Sequence, residues 1–140
     1  MDLMLFVAIG SLISLCFAGF LFNRVKSHSQ GTEKMIKISS AISKGADAYL
    51  KRQYKGVGVF FSAVFVVLLI LSFCGYLNHF VPFAFLTGGF FSALSGFIGM
   101  RTATMANART AFAAKEGLNK GLKVAFSAGA VMGFVVVGLG

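Results

Sequence analysis

The residue types that perform catalysis or hold metals are scarce in this chain, and they lie far apart. Asp2, Glu33, Asp47 and Glu116 are its carboxylates, His28 and His79 its histidines, and Cys16 and Cys74 its cysteines. Acid–base work and metal ligation both need such groups to converge on one point. No P-loop, HExxH, CxxC or serine-elbow motif brings any of them together. No catalytic, cofactor-binding or metal-ligating residue is therefore expected within the 140 residues. The cationic side chains, in contrast, are numerous and grouped. All 13 Lys and Arg fall in two blocks, 24–55 and 101–123, and the stretches outside those blocks contain no Lys or Arg. Such blocks can attract an anionic ligand or lipid headgroups, or they can simply set the orientation of a membrane protein.

The elements that must carry these groups are apolar. The chain is 57% hydrophobic, with mean hydropathy +0.84 and only 12% charged residues, whereas soluble domains carry about 25% charged residues. One crossing of a bilayer takes about 20 apolar residues, and four uncharged stretches supply them: 3–22, 56–77, 80–100 and 124–140. The first is not read as a cleaved signal peptide, because Asp2 precedes it while Arg24 and Lys26 follow it, the reverse of a signal peptide's order. Loops rich in Lys and Arg stay on the cytoplasmic side. The loops 23–55 and 101–123 are accordingly expected there, with Met1 and the Asn78-His79 turn outside. None of the carboxylates lies inside a span, so the chain alone lacks the ionisable groups of an ion pathway.

Within that frame several side chains have expected positions. Tyr54 and Tyr76 bracket the second span and suit the two headgroup layers. Cys16 and Cys74 sit at depths of about 20 Å and about 4 Å from the outer face, too different for a disulfide. In residues 32–55, Met35, Ile38, Ile42, Ala46 and Tyr49 recur at helical spacing, which predicts a basic amphipathic helix. Thr32 is its expected N-cap, and Glu33 to Lys37 and Asp47 to Lys51 are expected i,i+4 pairs. No glycine or proline interrupts residues 100–116, so the third span should continue as a helix beyond the bilayer. Small residues such as Ala103, Ala106, Ala108, Ala111, Ala113 and Ala114 should bury that extension against protein, with Arg101, Asn107 and Arg109 in need of polar partners. Gly88, Ser92 and Gly96, and Gly129 with Gly133, likewise expect close helical neighbours.

The segment Gly96-Phe97-Ile98-Gly99-Met100-Arg101-Thr102-Ala103-Thr104, followed by Ala106-Asn107-Ala108-Arg109-Thr110-Ala111, resembles the GFxGMxxAT-x-ANxRTA signature of membrane-bound, ion-translocating inorganic pyrophosphatases. Two more segments match that family in the same order. Lys44-Gly45-Ala46-Asp47-Ala48-Tyr49-Leu50-Lys51-Arg52-Gln53-Tyr54-Lys55 is similar to its loop helix, and Gly121-Leu122-Lys123-Val124-Ala125-Phe126 with Gly129-Ala130-Val131-Met132-Gly133 is similar to its fourth helix. Lys44 stands for the common Glu, and Ala108 for the common Val.

The resemblance implies an all-α, polytopic transmembrane bundle, of which this chain is the four N-terminal helices out of roughly sixteen, with a cytoplasmic amphipathic helix added. It implies a homodimer in a cell's plasma (inner) membrane that couples pyrophosphate hydrolysis to export of H⁺ or Na⁺. Mg²⁺ is the implied cofactor, bound outside this segment, with K⁺ a second candidate. The lipid bilayer and the remaining helices of the same pump are the implied partners. This portion is expected to be structural and inactive alone, either a natural truncation or a piece of a longer chain, and overall likeness leans toward the sodium-pumping branch. The competing class is a free-standing small oligomeric membrane protein, a transporter or scaffold subunit. The ending 135–140, without a Lys, Arg or aromatic anchor, speaks for a fragment instead. Nucleic-acid binding is not expected from the net charge of +9, because topology accounts for that charge.

Overall fold

The computed structural model describes the backbone of residues 2–139 and the side chains of residues 4–139. The expected positions of Met1, of Gly140 and of the Asp2 side chain lie outside the described residues. Four helices account for nearly all of the rest: α1 (Asp2–Ser27), α2 (Glu33–Phe73), α3 (Val81–Glu116) and α4 (Leu118–Leu139). All four are long and apolar enough to cross a membrane.

The helices differ in length in an informative way. α1 and α4 have 26 and 22 residues, about one bilayer thickness, whereas α2 has 41 and α3 has 36. The amphipathic segment expected to stand apart from the second span is therefore the first half of one continuous helix, α2. Gly45, Gly56 and Gly58 lie inside it. Each costs about 1 kcal/mol relative to Ala but leaves the i→i−4 ladder intact, so the helix runs through them. The expected extension of the third span is likewise α3 itself, continuous to Glu116.

Local chemistry ends each helix. α2 stops at Phe73, four residues before the expected end of its span, in a Schellman motif around Gly75. There the Tyr76 amide donates to the Leu71 carbonyl (3.0 Å), the Gly75 amide donates to that of Ser72 (3.2 Å), and Gly75 takes φ 81°. Pro82 opens the first turn of α3, where its missing N–H costs nothing. Between α3 and α4 lies a single residue, Gly117, at φ 150°. Thr32 caps α2 through its backbone, its carbonyl accepting from the Ile36 amide (3.0 Å), and not through the expected side-chain bond.

α3 is the hub. It packs against α4 and α2, α4 packs in addition against α1, and the α2 backbone approaches α3 alone. Ala18 and Leu21 of α1 meet Val131 and Val135 of α4 in one apolar cluster, and Val25, Ala106 and Ala128 join α1, α3 and α4 in another. Outside these clusters the surface is apolar: Phe6, Ile13, Phe60, Val67, Phe90, Phe126 and Val137 are all exposed. Soluble proteins rarely expose contiguous apolar patches beyond a few hundred Å², and a lipid environment removes the cost. Four such helices with this surface make the chain a multi-pass integral membrane protein. Cys16 and Cys74 are both free.

α2 protects only part of its expected apolar face, Met35 and Ala46 but not the rest. Ile38, Ile42 and Tyr49 are exposed, while Met35, Ser39, Ser43, Ala46, Leu50 and Tyr54 form the protected row. Ser39, Ser43 and Ala46 are small enough to let α2 approach its neighbour closely, with Met35, Leu50 and Tyr54 packed in the same row.

Candidate functional site

The signature residues of α3 lie where the other three helices meet it, and small residues decide how closely they meet. On the α2 side, a Cβ on Gly89 would overlap the Phe61 ring, and one on Gly96 would lie 3.5 Å from the Tyr54 hydroxyl. On the α4 side, a Cβ on Gly99 would come within 2.8 Å of the Met132 sulfur. One turn into α4, a Cβ on Gly121 would come within 2.8 Å of the Ala114 Cβ and 3.0 Å of its Cα.

Tyr54 illustrates how the polar groups are used. Expected as a headgroup anchor, it instead donates its hydroxyl proton to the Ala93 carbonyl of α3 at 2.6 Å, half-buried between the helices. An interhelical bond of this kind satisfies a hydroxyl that lipid could not. Nearer the end of α3, Arg101 Nη2 lies 3.3 Å from Asp47 Oδ1, and the Arg101 guanidinium carbon lies 5.2 Å from the Phe97 ring centroid. Asp47 thus pairs across helices and not with Lys51. Neither Glu33–Lys37 nor Asp47–Lys51 forms an ion pair among the described residues. The reason is energetic: an exposed i,i+4 pair is worth only a few tenths of a kcal/mol, so a competing cation with a planar fork readily takes the carboxylate.

Arg109 is the one buried charge of the signature, 6% exposed. Its Nε donates to the His28 carbonyl at 3.0 Å and its Nη1 to the Met105 carbonyl at 2.7 Å. Burial lowers its pKa from the ordinary arginine value, yet a guanidinium stays charged at neutral pH. The charge is thus held by carbonyl dipoles, and the bond to His28 fastens the α1–α2 connection onto α3. Phe112 completes that clasp: a Cβ on Gly31, whose φ is 84°, would meet its ring at 2.7 Å. Beside it is a small cavity of about 200 Å³ lined by His28, Arg109, Phe112, Glu116, Lys120 and Lys123. Glu116 accepts from Lys120 Nζ at 2.8 Å, and this hydrogen bond holds its carboxylate below the usual range.

A wider groove of about 430 Å³ runs between α3 and α4. Its walls are nearly all small, among them Ala103, Ala111 and Ala114 of α3 and Ala125 and Gly129 of α4, with Asn107 exposed in it. The alanine stretch is therefore split. Ala106, Ala108 and Ala113 are buried as expected, whereas Ala103, Ala111 and Ala114 are exposed on an open face.

The arrangement can hold helices and attract anions. Mg²⁺ takes oxygen ligands. Among the described residues no three His, Cys, Asp or Glu side chains come together. Sequence reasoning identified Arg101, Asn107 and Arg109 as groups in need of partners, but not which partners. It missed the Tyr54–Ala93 bond, because a carbonyl acceptor on another helix leaves no trace in residue spacing.

Comparison with known proteins agrees with the signature. Residues 12–140 match the family model described as inorganic H⁺ pyrophosphatase. The chain is 53% identical over 143 residues to a putative K(+)-stimulated pyrophosphate-energized sodium pump of Bacteroides thetaiotaomicron, covering 100% of this chain and 20% of that protein. It is 42% identical over 142 residues to a K(+)-insensitive pyrophosphate-energized proton pump of Methanosarcina mazei, covering 99% of this chain and 20% of the relative. A K(+)-insensitive pyrophosphate-energized proton pump of Caldanaerobacter subterraneus is 38% identical over 143 residues, with 95% and 20% covered. The chain thus spans about a fifth of the length of the curated relatives it matches. With the signature segment at the hub of the fold and the family model matched over nearly the whole length, the chain belongs to the inorganic H⁺ pyrophosphatase family.

Proposed function

We propose that this chain serves as the N-terminal, four-helix part of a pump that couples hydrolysis of cytoplasmic pyrophosphate to export of H⁺ or Na⁺, and that its own contribution is structural. The observation that carries this reading is the open groove of small residues along the signature segment of α3. Grooves walled by alanine and glycine are what a further membrane helix needs to approach closely, and relatives about five times as long leave room in sequence for such helices. α2 supports the same reading, since its exposed Ile38, Ile42 and Tyr49 present a second unpartnered apolar face.

In this reading the carboxylates that bind magnesium pyrophosphate and activate water belong to later helices, and no residue of the present chain is catalytic, cofactor-binding or metal-ligating. Bound Mg²⁺ would supply charge neutralisation of the phosphoryl oxygens. The blocks 24–55 and 101–123 lie on the cytoplasmic side of the cell's plasma membrane, the N-terminus lies outside, and the complete subunit pairs as a homodimer. Likeness to the Bacteroides thetaiotaomicron relative, higher than to the two proton pumps above, favours Na⁺ as the exported ion and K⁺ as an activator.

Two measurements test the proposal together. The purified 140-residue chain should release no phosphate from pyrophosphate above background with Mg²⁺ present. Co-expression with a relative's remaining helices should yield a stable, co-purifying complex. Magnesium-dependent hydrolysis by the chain alone would overturn the structural role, and self-association in place of capture would favour a free-standing oligomer.

A further inference from the structure

A second groove at the end of the molecule that carries both basic blocks has no part in the reading above. It lies between the last turns of α1 and the first half of α4 and measures about 560 Å³. Arg24 and Lys123 supply its charge, and among the described residues no carboxylate lines it. The nearest acidic group along α4's entry, Glu116, is already taken by Lys120, and Asp47 by Arg101. His28 adds a ring whose orientation is set: its Nδ1 lies 2.8 Å from the Arg24 carbonyl. A carbonyl can only accept, so Nδ1 carries the hydrogen and Nε2 is the free ring nitrogen. Asn119 and Ser127 contribute neutral hydrogen-bonding groups.

The groove is also amphipathic along α4. Leu122 and Phe126 line it one turn apart, 43% and 75% exposed. Arg24 follows the apolar stretch of α1 after Asn23, and Lys123 immediately precedes that of α4, so both cations stand where an uncharged span meets its flank. A pair of unneutralised cations at headgroup depth, with an uncovered apolar strip running toward the hydrocarbon, matches a phosphodiester joined to an acyl chain. Inorganic phosphate shares the headgroup chemistry but has nothing to place on Leu122 and Phe126. We propose that this groove binds one anionic phospholipid, its phosphate held between Arg24 and Lys123 and its acyl chain lying along Leu122 and Phe126. The inference needs only the membrane location and both basic blocks on one side; it is independent of pyrophosphate chemistry.

Native mass spectrometry of the chain in neutral detergent, titrated with phosphatidylglycerol, phosphatidylcholine or inorganic phosphate, tests it. Phosphatidylglycerol should bind about tenfold more tightly than phosphatidylcholine. The R24Q/K123Q variant should lose that preference, and R24K/K123R, which keeps both charges, should retain it. K34Q/K37Q removes the same charge from α2, outside the groove, and should stay within about twofold of the parent. L122S/F126S should weaken phosphatidylglycerol while leaving inorganic phosphate unaffected. Equal loss in K34Q/K37Q and R24Q/K123Q would mean that diffuse charge is at work and overturn the site. So would equal binding of the two lipids, or displacement of phosphatidylglycerol by low millimolar inorganic phosphate, which would make the groove a free-anion site.

Discussion

The two faces of α3 are held by different means. Toward α2 the contact is a row of rings and a few polar links: Phe61 on Phe85 with centroids 4.7 Å apart, Phe65 near Phe83 at 6.4 Å, the Tyr54 hydroxyl on Ala93, and Arg101 on Asp47. Toward α4 the contact is close approach over glycines, with Gly99 under the Met132 side chain and Gly121 against the backbone of Ala114. Ring packing tolerates adjustment, because side chains can swing. Backbone contact does not, because the atom that would be struck belongs to the helix itself. The α3–α4 face should therefore respond to small changes in volume, and the α2–α3 face to the removal of individual groups.

The strongest test of that contrast is Gly121→Leu. Its added atoms meet the backbone of Ala114, which cannot yield, so the variant should lose about 3 kcal/mol or fail to hold α4 in place. Gly89→Ala on the other face, where only the Phe61 ring stands in the way, should cost about 1 kcal/mol. Comparable losses for the two in denaturant titrations in detergent would erase the distinction. Arg109→Ala comes next. It removes two charge-assisted bonds and frees the α1–α2 connection, at about 2 kcal/mol, and proteolysis near His28 should accelerate. Unchanged cleavage there would mean that Phe112 and Gly31 hold the connection by themselves.

Smaller effects are expected from the polar links on the α2 side. Tyr54→Phe keeps the ring and deletes one interhelical hydrogen bond, worth about 0.6 kcal/mol in membrane proteins. Its thermal midpoint should fall slightly, and a loss as large as that of Arg109→Ala would show the bond to be central to docking α2. Asp47→Asn should cost less still, about 0.3 kcal/mol, since Asp47 and Arg101 keep side-chain exposures of 52% and 60%. A double-mutant cycle with Arg101→Gln measures it, and a coupling that persists at high salt would contradict a solvent-screened pair.

The same contrast explains what could be read in advance. Spans and charge blocks are legible because each residue's transfer free energy acts alone, whatever its neighbours. The protected row of α2 was not legible in that way. Met35, Ile38, Ile42, Ala46 and Tyr49 mark the apolar face by spacing, but of these only Met35 and Ala46 are protected, in a row with Ser39, Ser43, Leu50 and Tyr54. Residues 38–49 precede the apolar span of α2, and there Ser39, Ser43 and Ala46 let the helix approach α3 closely, so residue type alone marks only part of the interface. The end of α2 was not legible: the apolar pattern runs to residue 77, but the Schellman bonds to Leu71 and Ser72 around Gly75 stop the helix at Phe73.

By itself, then, the sequence determined that the chain enters a membrane four times, where its cations gather, and which family its third helix signals. Those are properties of composition and local order. Only the tertiary structure decided that Asp47 answers Arg101, that Arg109 clasps the His28 carbonyl, that Tyr54 reaches Ala93, and that a cationic groove opens beside Phe126. Each of these joins groups distant in the chain through carbonyls or long flexible side chains, and such pairings depend on helix register and separation, which no single helix specifies.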